Sequence, residues 1–277
     1  METTKFAYTP TLKKLGMSYL GKHSQSMKMT LSTKNGVCTY CLYLAPYTMS
    51  GHNVCPGGQH CHKFCLNGSG HNKSDIMFRG EELSTINQSR VKKTRLFYED
   101  RATFMHLMIH EIRKTRKWAA NNNLGFAVRI NGTSDLSPEL FIDPDTGMNV
   151  IDLFYDVQFY DYTKVESRYK LVEKYSNYHL TFSYDGHNMD ACKRMLERGI
   201  NVAVVFENTN MLPMKFMGVP VIDGNLFDMR YLDPQYSIVG LHYHTTAANY
   251  DKQGNYIRPN EDFVIRDDHP LVEWYEE

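Results

Sequence analysis

The chain has 277 residues, enough for one large domain or two small ones. Its 31 basic side chains are matched by 31 acidic ones, so no global field argues for a nucleic-acid or membrane partner. No apolar run approaches membrane-spanning length, and the opening METTKFAYTPTLKKLG lacks the apolar core of a secretory signal. The expectation is a soluble intracellular protein, whose reducing surroundings favour metal or catalytic roles for clustered cysteines over disulfides.

Residues 1–30 are polar and poorly periodic, with Lys13, Lys14, Lys22 and Lys28, and read as an N-terminal arm. The remainder, 31–277, reads as one domain. Tyr40-Cys41-Leu42-Tyr43-Leu44-Ala45 is an apolar run closed by Pro46, a first strand. Cys41, with Cys38, forms a C-x-x-C pair, but in a buried strand it is equally a small core residue.

Next comes Cys55-Pro56-Gly57-Gly58-Gln59-His60-Cys61-His62-Lys63-Phe64-Cys65, with three cysteines in a short span. Cys61 and Cys65 are four apart, so on a helix both sulfurs share a face. The Pro-Gly-Gly turn lets Cys55 swing round to meet them. Thiolates are soft ligands for iron–sulfur clusters and zinc. Three protein ligands leave a fourth iron open, and four close the site. The C-x5-C-x3-C spacing is neither a zinc-ribbon or zinc-finger pattern nor the C-x3-C-x2-C of radical enzymes that cleave S-adenosylmethionine. An iron–sulfur cluster, 4Fe-4S in type, is the first reading of Cys55, Cys61 and Cys65. Zinc is the alternative, and disulfides or free thiols a third. His52, His60, His62 and His71 keep a mixed Cys/His site open, and the fourth ligand is undecided among Cys38, Cys41 and a histidine. The metal-binding loop spans 50–72.

Asn67-Gly68-Ser69-Gly70-His71 offers backbone N–H groups to an anion, or is simply a loop. Ser84 to Arg95 is polar, with Arg90, Lys92, Lys93 and Arg95 as a solvated or phosphate-meeting cluster. Phe97 to Trp118 follows helical spacing through Phe104, Leu107, Met108 and Ile112. Strands then follow at Phe126–Ile130, Val157–Tyr162, Tyr178–Ser183, Asn201–Phe206, Pro220–Asp223 and Ser237–His242, with a helix over Met189–Arg198. Short apolar runs with crossovers predict a parallel sheet in an α/β fold. The fold expected first is a β/α (TIM-like) barrel, incomplete or irregular, and second a doubly wound open sheet. Barrels carry their chemistry at strand C-termini. Asn131, Asp135, Asp161 and Lys164 fall there and are the candidate catalytic residues, for substrate positioning or acid–base work. Any one of them is also an ordinary turn or cap residue.

Several stretches together resemble a bacteriophage family, the "gene product eighty-eight"-like proteins of unknown function. They are Tyr43-Leu44-Ala45-Pro46, Ser50-Gly51-His52-Asn53-Val54-Cys55-Pro56, Cys61 with Cys65-Leu66-Asn67, and Thr94-Arg95-Leu96-Phe97-Tyr98-Glu99-Asp100. Arg129-Ile130-Asn131-Gly132-Thr133-Ser134-Asp135, Phe159-Tyr160-Asp161-Tyr162-Thr163-Lys164, Val221-Ile222-Asp223-Gly224 and Val239-Gly240-Leu241 complete the set. The resemblance implies a virus-encoded protein in the cytoplasm of a bacterial host, with Cys55, Cys61 and Cys65 as the family's cysteine motif. It leaves Cys38 and Cys41 outside.

The resulting expectation is an iron–sulfur protein whose cluster faces a polar barrel mouth, with redox or Lewis-acid chemistry on a small polar substrate. The rival is a zinc-stapled nucleic-acid-binding protein using Arg90 to Lys117, or a host-interaction protein without chemistry. The zero net charge disfavours nucleic acid, and no membrane partner is expected.

Overall fold

The computed structural model describes residues 6–62, 65–68, 83–208, 210–245, 249, 253–257 and 263–275. Seven strands run parallel: β2 (Val37–Leu42), β3 (Gly125–Arg129), β4 (Gln158–Thr163), β5 (Tyr178–Ser183), β6 (Val202–Phe206), β9 (Ile238–His242) and β8 (Val219–Asp223), neighbours in that order. β1 (Gly21–Lys22) flanks β2 antiparallel. β7 (Lys215–Phe216) and β11 (Val272–Glu273) extend the β8 edge antiparallel, and β10 (Val264–Ile265) joins β6 in parallel. Of the expected fold the coarser part is present, a mixed α/β architecture with one sheet of 11 strands among the described residues. Among the described residues no ladder joins its two ends, so it is not closed.

Parallel pairing keeps partnered residues on one face. Tyr40 pairs with Val128, Phe159 with Tyr178, and Phe182 with Val202. These side chains form an apolar face covered by helices. α3 (Thr85–Glu99), α4 (Arg101–Asn121) and α6 (Tyr169–Lys174) cover it over β2 to β5 through Phe97, Phe104, Met108, Ile112 and Leu171. α7 (Met189–Glu197) covers it over β5 and β6 through Cys192, Met195 and Leu196. The short α5 (Val150–Leu153) adds Val150 and Ile151 to the same core. The opposite face carries Thr39, Cys41, Arg129, Tyr160, Tyr162, His179 and Thr181, by the pairings Thr39↔Ala127, Cys41↔Arg129, Tyr160↔His179 and Tyr162↔Thr181. It is polar, which an ordinary sandwich layer is not.

Two sequence readings need correction. The segment read as a polar arm is folded: α1 (Tyr8–Lys14), β1 and α2 (Met27–Lys34) bury Leu12, Leu20 and Met29. Its anchor is Glu111 of α4, whose carboxylate accepts from the Leu20 and Gly21 N–H groups (2.8 Å each), the Tyr8 hydroxyl (2.8 Å) and the Tyr40 hydroxyl (2.9 Å). The single helix expected over Phe97–Trp118 is the larger part of a pair. Asp100 breaks the run and caps α4 by accepting from the Thr103 N–H at 3.0 Å. The polar stretch Ser84–Arg95 is α3, capped by Ser84, with Asn87, Lys93 and Thr94 buried beside Val91 and Leu96. Polar residues on its buried face hid its helical period.

α2 packs on β2 and also reaches the segment after β8. Lys28 Nζ donates to the Gly224 carbonyl at 2.8 Å, and Ser32 Oγ accepts from the Asp228 N–H at 3.2 Å. Side chains thus join the β2 and β8 sides of the sheet without a ladder, and residues 223–233 lie over the polar face.

Candidate functional site

The cysteine loop leaves the C-terminal end of β2 and lies against the ends of β3 and β4. The Asp135 N–H donates to the Val54 carbonyl at 2.7 Å, and Thr133 Oγ1 donates to the Leu44 carbonyl at 2.5 Å. Gly57 is required there, since a Cβ on it would stand 2.9 Å from the Lys164 Cβ. Local turns shape the loop. Asn53 Oδ1 accepts from the Cys55 N–H at 2.9 Å, and the Gly58 N–H donates to the Cys55 carbonyl at 2.9 Å.

Cys55, Cys61 and Cys65 lie on this loop, near enough to act on one another's ionisation. Burial pushes the Cys55 thiol up to about 12, and ionising Cys65, Asp135 or Cys61 would raise it further. The Tyr47 N–H opposes the shift by donating to Cys55 Sγ at 3.4 Å. Cys65 is raised by burial and by Cys61, and lowered by Lys164 and Arg90. Among the described residues no three His, Cys, Asp or Glu side chains form a ready-made metal-binding group. The donor set fits a cluster in chemical kind, three thiols of one loop, two of them accepting backbone N–H groups as cluster thiolates do.

The loop histidines have other neighbours. His52 stacks on Tyr98 at 4.2 Å, His62 on Tyr47 at 4.8 Å, and His60 lies 4.1 Å from His187. Cys38 and Cys41 are buried in β2, their thiols pushed by desolvation up to about 11 and about 12. They face opposite sides of the sheet and are not in the claw. Cys192, remote in sequence, is less so in space. It is buried on α7, where Asp185 and Lys164 both act on its thiol. The anion loop proposed at Asn67 to His71 is described only as far as Gly68. Asn67 is buried there and accepts from Arg90, and His71 lies outside the described residues.

The four candidate polar residues fall into two clasps on the helix-covered side. Asp161 accepts from the backbone N–H and the side-chain amide of Asn131, at 3.0 Å each. Asn131 Oδ1 in turn accepts from Ser134 Oγ (2.8 Å) and the Leu136 N–H (2.9 Å). Burial pushes the Asp161 carboxyl up to about 6 even though the Asn131 donors pull it down. Asp135 accepts from the Thr163 hydroxyl (2.8 Å), the Lys164 N–H (3.0 Å) and the Arg168 guanidinium. The Asp135–Arg168 ion pair is nearly sealed, the side chains 12% and 5% exposed. Lys164 is half-buried, and its charge acts on both Cys65 and Cys192. Asn131 and Asp161 thus fix one turn, Asp135 fixes the loop against β4, and Lys164 stands beside the sulfurs.

Sequence reasoning overlooked the polar face as a group. Arg129 Nη1 meets the Asp228 carboxylate at 2.8 Å, and the Tyr160 hydroxyl donates to the same carboxylate at 3.0 Å. Arg230, fully buried, stands 3.2 Å from Asp233. The signal was available in the period-2 alternation of Tyr160 and Tyr162, and of His179 and Thr181, within otherwise apolar strands.

The family model described as Gene product 88 matches residues 11–258, and the chain belongs to that family. No curated protein and no solved structure matches it. Among the described residues no helix is long and apolar enough to cross a membrane.

Proposed function

We propose that this member of the Gene product 88 family is an iron–sulfur protein of the phage-infected bacterial cytoplasm, with Cys55, Cys61 and Cys65 as the cluster ligands. The observation that supports the reading is that the three thiols share one loop at the C-terminal end of β2, near enough to act on one another's ionisation, at the end of the sheet where α/β folds hold their ligands. A 4Fe-4S cluster on three thiolates supplies redox or Lewis-acid chemistry at its unliganded iron. The chain's own residues bind and orient. Lys164 contributes a positive charge beside the sulfurs, and the Asp135–Arg168 pair holds the Lys164 backbone and the Val54–Cys55 turn in register. Asn131 and Asp161 shape the neighbouring turn. A small anionic or carbonyl-bearing substrate suits a site with a lysine at its edge. The finer expectation of an incomplete TIM-like barrel belongs with this reading, because the strands from β2 to β6 follow one another in sequence order, as barrel strands do.

Protein purified without oxygen is expected to be brown, with broad visible absorption and stoichiometric iron and acid-labile sulfide. Stoichiometric zinc without sulfide overturns the reading in favour of a zinc staple. The loop histidines favour the cluster over that staple, since His52 and His62 are stacked on tyrosine rings and His60 lies tilted against His187.

A further inference from the structure

The polar face of the sheet contains donors that the protein itself leaves unused. Arg230 is fully buried, and its Nη2 donates to the Phe227 carbonyl at 2.7 Å. Its Nε and Nη1 have no hydrogen-bond partner among the described residues, although Nη1 lies 3.2 Å from Asp233. Thr181 Oγ1, on a fully buried residue, is unpartnered in the same way, as are His179 Nε2 and Arg129 Nε. A buried donor left without a partner costs about 1–3 kcal/mol. Five such atoms on or over one face are hard to account for as packing alone. They are also close neighbours. His179 and Thr181 are two apart on β5, the turn at Arg230–Leu232 packs against that strand, and the Arg230 charge is felt at His179.

The charges give the missing partner a sign. Lys28, Arg129 and Arg230 lie here with two buried carboxylates, Asp228 and Asp233, so the cations outnumber the buried carboxylates by one. Asp223, the other acid near Lys28, is exposed. Ordered water satisfies donors but not charge. Gly224 lets Arg230 approach the sheet closely. A Cβ there would stand 3.0 Å from Arg230 Nη1 and 2.5 Å from Val239 Cγ1, so only glycine lets the guanidinium lie over β9.

We infer that the polar face of the sheet, covered by residues 223–233, is a binding site for a small oxyanion. Its ligand is a molecule carrying one carboxylate or phosphate group, held by Arg230 and Thr181 with His179 at the side. A guanidinium fork matches the geometry of either group. The site names the substrate class for the proposed reaction, yet it does not depend on the thiols and would be present without any cluster.

The test is melting temperature and calorimetric binding with inorganic phosphate and, separately, acetate, against chloride at matched ionic strength. The expected result is a saturable rise in melting temperature with one of the two anions. Binding should weaken about tenfold or more in Thr181→Val and Arg230→Gln, as the loss of one hydrogen bond to a charged group implies. Thr181→Val is nearly isosteric and keeps the test decisive if Arg230→Gln fails to fold. The same response in Cys61→Ser protein separates this site from the cluster reading. Failure of both anions to bind, or equal binding by wild type and Thr181→Val, overturns the inference.

Discussion

Asp135→Asn tests whether the Asp135–Arg168 clasp is structural. The substitution keeps the shape and removes the charge opposite Arg168, whose side chain is 5% exposed. Asp135 serves three donors at once: the Thr163 hydroxyl, the Lys164 N–H and the guanidinium. An asparagine offers one carbonyl oxygen to that set and turns an N–H₂ toward a donor. Breaking one side of a buried ion pair costs about 3–5 kcal/mol, because the remaining charge stays buried without compensation. That is a large share of the roughly 5–15 kcal/mol that keeps a domain folded. Urea unfolding should show the midpoint falling with the slope unchanged. Replacing Arg168 by Met in the same chain removes the orphaned charge, so Asp135→Asn/Arg168→Met should recover part of the loss, a coupling seen directly in the double-mutant cycle. A loss under about 1 kcal/mol, within the range of an exposed pair, or strict additivity in the cycle, would refute the clasp. Asp135 would then be free to act on a substrate.

Replacing Cys55, Cys61 or Cys65 by Ser should abolish metal loading, since a hard hydroxyl replaces a soft thiolate, whereas Cys38→Ser, Cys41→Ser and Cys192→Ser should load normally by iron analysis. Burial holds the Cys55 and Cys65 thiols protonated at neutral pH, so loading must release protons, and metal affinity measured by chelator competition should climb as pH rises. His179 is held neutral by burial, its pKa lowered from 6.5 to about 4. A lowered histidine value means that the unfolded chain binds the proton first, so its contribution to stability is lost as pH falls from 6.5 to about 4. His179→Gln should remove that loss, and a wild-type-minus-variant stability difference flat across this window would contradict the assignment. Gly224→Ala should cost about 1–3 kcal/mol as overpacking against Val239 and Arg230, read by thermal melting.

The strands were legible because each is a short apolar run bounded by turn residues. Tyr178–Ser183 was read to the residue and β3, β4, β6, β8 and β9 to within one, but β2 runs Val37–Leu42, earlier than the apolar run Tyr40–Ala45 read for it, whose last residues already belong to the loop. The N-terminal segment was not legible. What orders it is Glu111, about ninety positions later in the chain, and no local pattern announces that a carboxylate will collect two backbone N–H groups and two hydroxyls. α3 was missed for a related reason: Asn87, Lys93 and Thr94 occupy its buried face. The approach of Cys192 to Lys164 was not legible either, since it depends on how α7 crosses the sheet.

The alternation along β4 decides which candidate residues can meet a ligand. Asp161 and Thr163 point to the helix-covered side, where Asn131 and Asp135 already engage them. A sealed carboxylate accepting two hydrogen bonds from Asn131 and a longer one from the Tyr178 hydroxyl is poorly placed to exchange a proton with a substrate, whatever its pKa. Tyr160 and Tyr162, one step along the strand in each case, point to the polar face instead. The sequence motif Phe159-Tyr160-Asp161-Tyr162-Thr163-Lys164 therefore divides its work by parity. Its acid and threonine hold the strand ends and the cysteine loop together, its two phenols line the face where Arg129 and Arg230 keep N–H groups without a hydrogen-bond partner, and Lys164, beyond the last pairing, stands at the edge of the cysteine loop. Asp161→Asn should then affect stability more than the rate of any reaction found for this protein, whereas Tyr162→Phe and Lys164→Met should affect the rate more than stability. The reverse pattern in paired melting and turnover measurements would return Asp161 to the chemistry and leave the polar face as packing.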